Sequence, residues 1–348
     1  MIKERESNIE LLRIISILGV IVLHYNNPQI GGGFKFVIPN SINYWILMTL
    51  ESIFICAVNV FIIISGYFLI EKKSRNLWKV IELILQVVLI ELAFYIFKDC
   101  IIERSFSIKG LINSLIPTNY FVILYSTLFI ISPYINKIVS QINLKEYKKF
   151  LIILFIIFSI YPTIIDLASE IFDRDFFGLS TIGAYGSQFG YTIVNFILMY
   201  LIGGYIYKSK CFAERKKLIR YFVLNLIIII GWSCINTITA WEYSNPFVII
   251  EAILIFMIFR SMNLKSKIIN KLAKGCFFTF LLHGKLLNFI KIELFAKKHF
   301  LIMSIHIVIS TVLIYMICYV IFIIYAKCST PIINYLKKKV KLPEIKVD

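Results

Sequence analysis

Long apolar stretches without a charge, such as Leu151 to Ile160 and Leu224 to Ile230, recur along this chain between clusters of lysine. Such segments are suited to cross a bilayer, because about 20 apolar residues span the hydrocarbon while flanking cations stay in water. The 348 residues are 59% hydrophobic with a mean hydropathy of +0.83, against roughly half apolar usage in a soluble domain. The expected fold class is therefore an all-α integral membrane protein, a bundle of about ten transmembrane helices. The expected spans are 9–26, 44–70, 77–97, 119–139, 148–165, 188–207, 218–240, 246–260, 274–291 and 301–325, with no soluble domain left over.

A net charge of +17 would suit nucleic acid, but its placement argues otherwise. Lys and Arg crowd the N-terminal segment, every second loop and the C-terminal tail, whereas the loops between hold few. The positive-inside rule then puts both termini in the cytoplasm, and no nucleic-acid partner is expected beside the lipid bilayer. Lys3 and Arg5 precede the first apolar run as in a signal peptide. Glu10, Arg13 and His24 interrupt that run and no small-residue cleavage site closes it, so the helix reads as retained. The seven cysteines form no Cys-x-x-Cys pair, which argues against a disulfide framework, and no metal site is expected.

An ionisable side chain inside a membrane needs a partner, a wet cavity or a task. The first span carries three. His24 lies 11 positions past Arg13, which is three turns plus about 20° at 100° per residue, so the two share one helix face ~16 Å apart. Glu10 lies one turn before Arg13 and close to the same stripe. Other spans offer partners at matching depth: Ser65 and Glu82 toward the inner side, Glu51 and Glu91 toward the outer side, and Asn59 between them. His283 sits within the ninth span, and two histidines in one bundle are suited to general base catalysis. The outer segment Thr163 to Ser187 holds Asp166, Glu170, Asp173 and Asp175 beside Arg174, with Phe172, Phe176 and Phe177. It either meets a sugar or is a solvated loop.

These residues resemble the acyltransferase-3 family of membrane acyltransferases. The spacing Glu10-Leu11-Leu12-Arg13, ten residues, His24 is similar to that of the family's first helix. Asn59 to Tyr67, with Ser65-Gly66 near its end, resembles the second, and Asn119-Tyr120-Phe121-Val122, Tyr125 and Ser132-Pro133-Tyr134-Ile135-Asn136 resemble the fourth. Asn195 to Tyr205 resembles the sixth, and Leu281-Leu282-His283 the late histidine helix. The family's paired arginines after the second helix appear as Lys72, Lys73, Arg75 and Lys79.

The resemblance covers nearly all of residues 1–348, read as one domain. It implies a bacterial multi-pass protein of the cytoplasmic membrane that transfers an acyl group, most often acetyl, from acyl-CoA (acetyl-CoA) to a hydroxyl of a cell-surface glycan. No tightly bound cofactor is implied, and a separate extracytoplasmic transferase is a possible partner. In that reading His24 is the general base, His283 supports it, Arg13 holds a phosphate, a carboxylate or the oxyanion, and Glu10 is a further catalytic candidate on the same stripe. Ser65, Gly66, Asn59, Glu51, Glu91 and Tyr125 line the substrate path, with Lys72, Lys73 and Arg75 near the donor phosphates. Two other classes compete: a transporter of polysaccharide or lipid-linked sugar, and a non-catalytic membrane subunit of a glycan assembly system.

Overall fold

The computed structural model describes residues 5–176 and 178–347; Lys3 and Phe177 lie outside them. The chain is 74% helical. Among the described residues the bundle is carried by α1 (Ser7–Asn26), α2 (Ile42–Leu69), α3 (Trp78–Ile102), α4 (Tyr120–Ser140), α5 (Leu144–Ile171), α6 (Ile193–Ser209), α7 (Arg215–Ser233), α8 (Pro246–Arg260), α9 (Cys276–Leu287) and α10 (Phe300–Lys339). Six of these, α1 to α5 and α10, are long and apolar enough to cross a membrane.

Local chemistry sets where the helices begin. Side chains of Ser41, Asn119, Thr192 and Asn245 accept from backbone N–H groups of the turns that follow them. Asn143 and Glu146 form a reciprocal capping box at the start of α5. Each such cap satisfies donors that a helix start leaves without partners.

Several boundaries differ from the expected spans: α3 and α5 run on to Ile102 and Ile171, α7 stops at Ser233, and the sixth and last spans change as well. The sixth is expected from residue 188, but Gln188, Phe189 and Gly190 have positive φ, and α6 starts only at Ile193. Gly190 passes so close to the Ser244 backbone that a Cβ would stand 2.5 Å from its nitrogen. The last was ended at 325, yet α10 runs 40 residues, ~60 Å at 1.5 Å per residue and about twice the hydrocarbon thickness. Its far end is tied down, because Lys337 pairs with Glu82 of α3. Glu82 is thereby occupied by α10 instead of serving the α1 stripe.

Hydrogen bonds gather six segments at one end of the bundle. Asn8 donates to the carbonyls of Phe259 and Arg260, and Arg260 donates to that of Cys211. Tyr207 donates to Glu71, and Lys208 reaches the Val139 carbonyl. A two-stranded antiparallel pair joins β1 (Ser74–Asn76) to β2 (Glu344–Lys346). These are the N-terminal segment, the loops after α2, α4, α6 and α8, and the tail, the same six in which Lys and Arg concentrate.

α2 and α6 cross at backbone contact. A Cβ on Gly66 would overlap the Tyr200 carbonyl, and one on Gly203 would overlap that of Ile63. Small residues permit such close approach of helices in a membrane. The missing side chain of Gly66 is therefore a requirement of helix packing.

Candidate active site

The α1 stripe faces α9. His24 Nδ1 lies 2.5 Å from His283 Nε2, and His283 Nδ1 lies 2.9 Å from the Thr279 carbonyl oxygen. The ring planes are 10° apart and the centroids 4.6 Å apart. A nitrogen pair this short with that centroid separation means edge-to-edge rings in nearly one plane, since stacked faces would keep the nitrogens beyond van der Waals contact.

A carbonyl oxygen only accepts, so His283 Nδ1 carries the hydrogen and, in the neutral ring, Nε2 is an acceptor. His24 must then donate from Nδ1, which leaves the lone pair on its Nε2. His283 is 2% exposed, whereas His24 is half-buried. The basic nitrogen of the pair thus belongs to the more accessible ring.

One end of the same α1–α9 seam opens into a cavity of about 240 Å³ lined by Glu10, Arg13, Ser65 and Tyr125. Arg5, Lys79 and Lys274 add three cations to its wall, and Phe280 lines it as well. The Phe280 ring centroid is 6.1 Å from that of His283 and 4.7 Å from that of Phe121. Phe280 therefore stands between the cationic cavity and the histidine pair.

The charges here are loosely held. Glu10 lies 3.8 Å from Arg13 Nε and 3.5 Å from Arg5, and neither Glu10 Oε2 nor Arg13 Nε makes a hydrogen bond among the described residues. Buried polar atoms usually find partners, because leaving one unpaired costs about 1–3 kcal/mol. A cavity with four cations and one carboxylate suits an anion that would accept from Arg13 Nε.

The remaining expected site residues are held elsewhere. Glu51 accepts from Asn26 Nδ2 at 2.8 Å, and Glu91 pairs with Lys285 at 2.7 Å, so the partner that orients His24 is His283. Asn59 donates to the Tyr243 carbonyl and accepts from Asn195, locking α2 to α6. Arg75 is 3% exposed and bonds Ser132, the carbonyls of Lys72, Ser74 and Leu69, and Tyr200. Those five bonds match the five N–H donors of a guanidinium. Lys72 and Lys73 are exposed and do not line the cavity of Arg13.

Arg5 and Lys274 were not among the candidates drawn from the sequence, and Lys79 entered only as one of four residues standing for the family's paired arginines. Nine positions separate Lys274 from His283, about half a turn out of phase in an ideal helix. Lys274 stands instead in the 3₁₀ turn Ala273–Gly275 that precedes α9, so helical periodicity held no sign of it.

At the opposite end of the bundle, the acidic segment 163–187 forms a built depression. A cavity of about 490 Å³ is lined by Asp166, Glu170, Asp173, Asp175 and Glu242, with Phe176, Tyr185 and Phe189 among its walls. Ser187 pins it, donating from its backbone to Asp166 and from its hydroxyl to Glu242. Glu242 lies between α7 and α8, outside the helices, and burial first, then the Asp166 charge, raises its carboxyl to about 8.

A carboxyl raised on folding binds a proton that the unfolded chain has already released. Stability therefore falls as pH rises from the ordinary 4.5 through about 8. Glu242→Gln is expected to flatten that part of the thermal-midpoint profile, measured by fluorescence in detergent. A variant profile that declines as steeply as the wild type across this window contradicts the assignment.

A family model described as an acyltransferase domain matches residues 6–324, nearly the whole chain. The chain belongs to the acyltransferase-3 family. Membership makes this protein a membrane acyltransferase, and its several apolar helices agree with a multi-pass membrane protein. No curated protein and no solved structure matches the chain. In acyltransferase terms, the geometry brings together Glu10, Arg13, Ser65 and Tyr125 at one cavity and His24 with His283 at one hydrogen bond.

Proposed function

We propose that this acyltransferase moves an acetyl group from acetyl-CoA to a hydroxyl of a cell-surface glycan, acting in a bacterial cytoplasmic membrane with ten spans and both termini inside. The observation that carries this reading is the His24–His283–Thr279 hydrogen-bond chain, which leaves a lone pair on His24 Nε2, on the same α1–α9 seam whose other end opens into a cation-lined cavity.

The reaction balances on these groups. His24 Nε2 takes the proton of the glycan hydroxyl as its oxygen attacks the thioester carbonyl, and the C–S bond then breaks. The released thiolate takes up the proton from His24. While His24 is an imidazolium, His283 Nε2 accepts from its Nδ1–H and spreads the charge toward the Thr279 carbonyl. His283 acts through His24 in this scheme and is a positioning residue.

Arg13 has a different task. At ~16 Å from His24 along α1, it is too distant to touch the carbonyl on which His24 acts, so an oxyanion role is set aside in favour of the donor's phosphate end. The cavity is smaller than the roughly 300–1,000 Å³ of typical ligand pockets. It suits an extended arm, with phosphates at a mouth formed by Arg5, Lys79 and Lys274. The acceptor approaches from the opposite end, where carboxylates and aromatic rings around Glu242 supply hydrogen-bond acceptors and ring faces for a sugar.

Kinetics of Lys79→Gln/Lys274→Gln test the donor half. Losing charge-assisted bonds at a partly screened mouth is expected to raise KM for acetyl-CoA about tenfold, with kcat little changed. Lys72→Gln/Lys73→Gln is expected to leave KM near wild type. The opposite order returns the donor phosphates to the loop after α2.

A further inference from the structure

The end of the bundle where the six basic segments meet carries a second cationic site that the transfer scheme does not use. Two neighbouring cavities, of about 620 Å³ and about 410 Å³, share Glu71 and Lys208. The larger adds Lys210 and Arg260, and the smaller adds Lys73 and Lys137. Five cations thus face one carboxylate, and that carboxylate already accepts from Tyr207. None of the five is in an ion pair among the described residues.

Cations collected in this way repel one another unless an anion joins them. Arg260 is held in place by two rings, its guanidinium lying over those of Tyr67 and Phe212 at 5.4 and 4.8 Å. One of its nitrogens donates to the Cys211 carbonyl. A planar guanidinium fixed by two rings is oriented for a phosphate oxygen.

The apolar surroundings indicate which phosphate. Phe212 is 77% exposed beside Arg260, and Leu144, a wall of the larger cavity, is the first residue of α5. From there α5 runs away from the cavity with Ile152, Ile153 and Ile156 exposed. A soluble phosphate has no use for that apolar strip. A phosphodiester with hydrocarbon chains fits both parts.

We infer that the cavity between the ends of α2, α4, α6 and α8 binds the phosphate headgroup of an anionic phospholipid, with its acyl chains along the exposed face of α5. The inference stands apart from the acyl-transfer reading, since a transporter or an assembly subunit with this surface would bind the same lipid. Basic residues at a membrane surface attract anionic headgroups with about 1 kcal/mol each, roughly fivefold in affinity per cation.

The full-length protein in nanodiscs tests it, with phosphatidylglycerol and phosphatidylcholine in equal amounts and the retained lipid read by native mass spectrometry. The wild type is expected to retain phosphatidylglycerol preferentially. Lys208→Gln/Lys210→Gln should lose about fivefold of that preference per lysine removed, and Lys137→Gln, at an exposed position, about fivefold with wild-type circular dichroism. Excess acetyl-CoA or inorganic phosphate should leave the retained lipid unchanged. No preference for phosphatidylglycerol, or an undiminished one in folded Lys137→Gln, overturns the inference. Displacement of the lipid by acetyl-CoA or phosphate also overturns it, making the site one for a soluble anion.

Discussion

His24→Ala is expected to lower the turnover of acyl-CoA by about 10²- to 10⁴-fold, the usual effect of removing a positioned general base. His283→Ala should cost less, because it removes the acceptor that fixes the His24 tautomer and leaves the reacting nitrogen in place. The separation is sharpened by His283→Asn or His283→Gln, whose amide oxygen can still accept from His24 Nδ1. Partial recovery in either variant supports positioning, whereas complete and equal loss in every His283 variant means that the two rings act as one unit. Near-normal turnover in His24→Ala, with the fold intact, refutes the base assignment. Stopped assays with purified protein and a labelled acyl donor measure all of these.

Gly66→Ala is expected to cost the protein much of its folded population. The added methyl would overlap the Tyr200 carbonyl of α6, and the obstacle is backbone, which no rotamer change can remove. Overpacking of this kind typically costs about 1–3 kcal/mol and occasionally more, against a total stability of about 5–15 kcal/mol. Gly203→Ala should do the same from the other helix, because its methyl would overlap the Ile63 carbonyl. Yield and thermal midpoint in detergent are the readouts. A Gly66→Ala protein with the wild-type midpoint but a raised KM would restore Gly66 to the substrate path.

What the sequence revealed and what it hid follow from the range of the interactions involved. Helical periodicity is local, so the stripe from Glu10 through Arg13 to His24 could be read along one segment, and α1 does turn that stripe toward α9. Ser65 and Tyr125 also meet Arg13 at one cavity. Partner choice is not local. Glu82 and Glu91 have the right depth to serve α1, yet Lys337 and Lys285, brought near by tertiary packing, take them, and Glu51 meets α1 at Asn26 instead of at His24. Lys337 was hidden further because α10 continues far past the bilayer thickness.

The same distinction separates the two kinds of motif residue. Arg75 and Asn59 stand in segments that resemble family motifs, but their hydrogen bonds are spent on Ser132, Tyr200, Tyr243, Asn195 and nearby carbonyls. A motif position can therefore hold helices together as well as touch a ligand, and the letters alone do not tell which. Lys274 shows the converse, since a 3₁₀ turn places a cation at the cavity out of phase with α9.

In the proposed reaction one chain carries an acyl group from a donor on one side of the membrane to an acceptor on the other by way of His24. The most direct measurement uses vesicles with the purified protein in one orientation, labelled acetyl-CoA on the side of Arg5, Lys79 and Lys274, and the glycan on the side of Glu242. With wild-type protein the label is expected to become covalently attached to the glycan hydroxyls, and His24→Ala is expected to abolish this within detection. Movement of intact glycan or donor across the membrane without acylation, unchanged by His24→Ala, would contradict it.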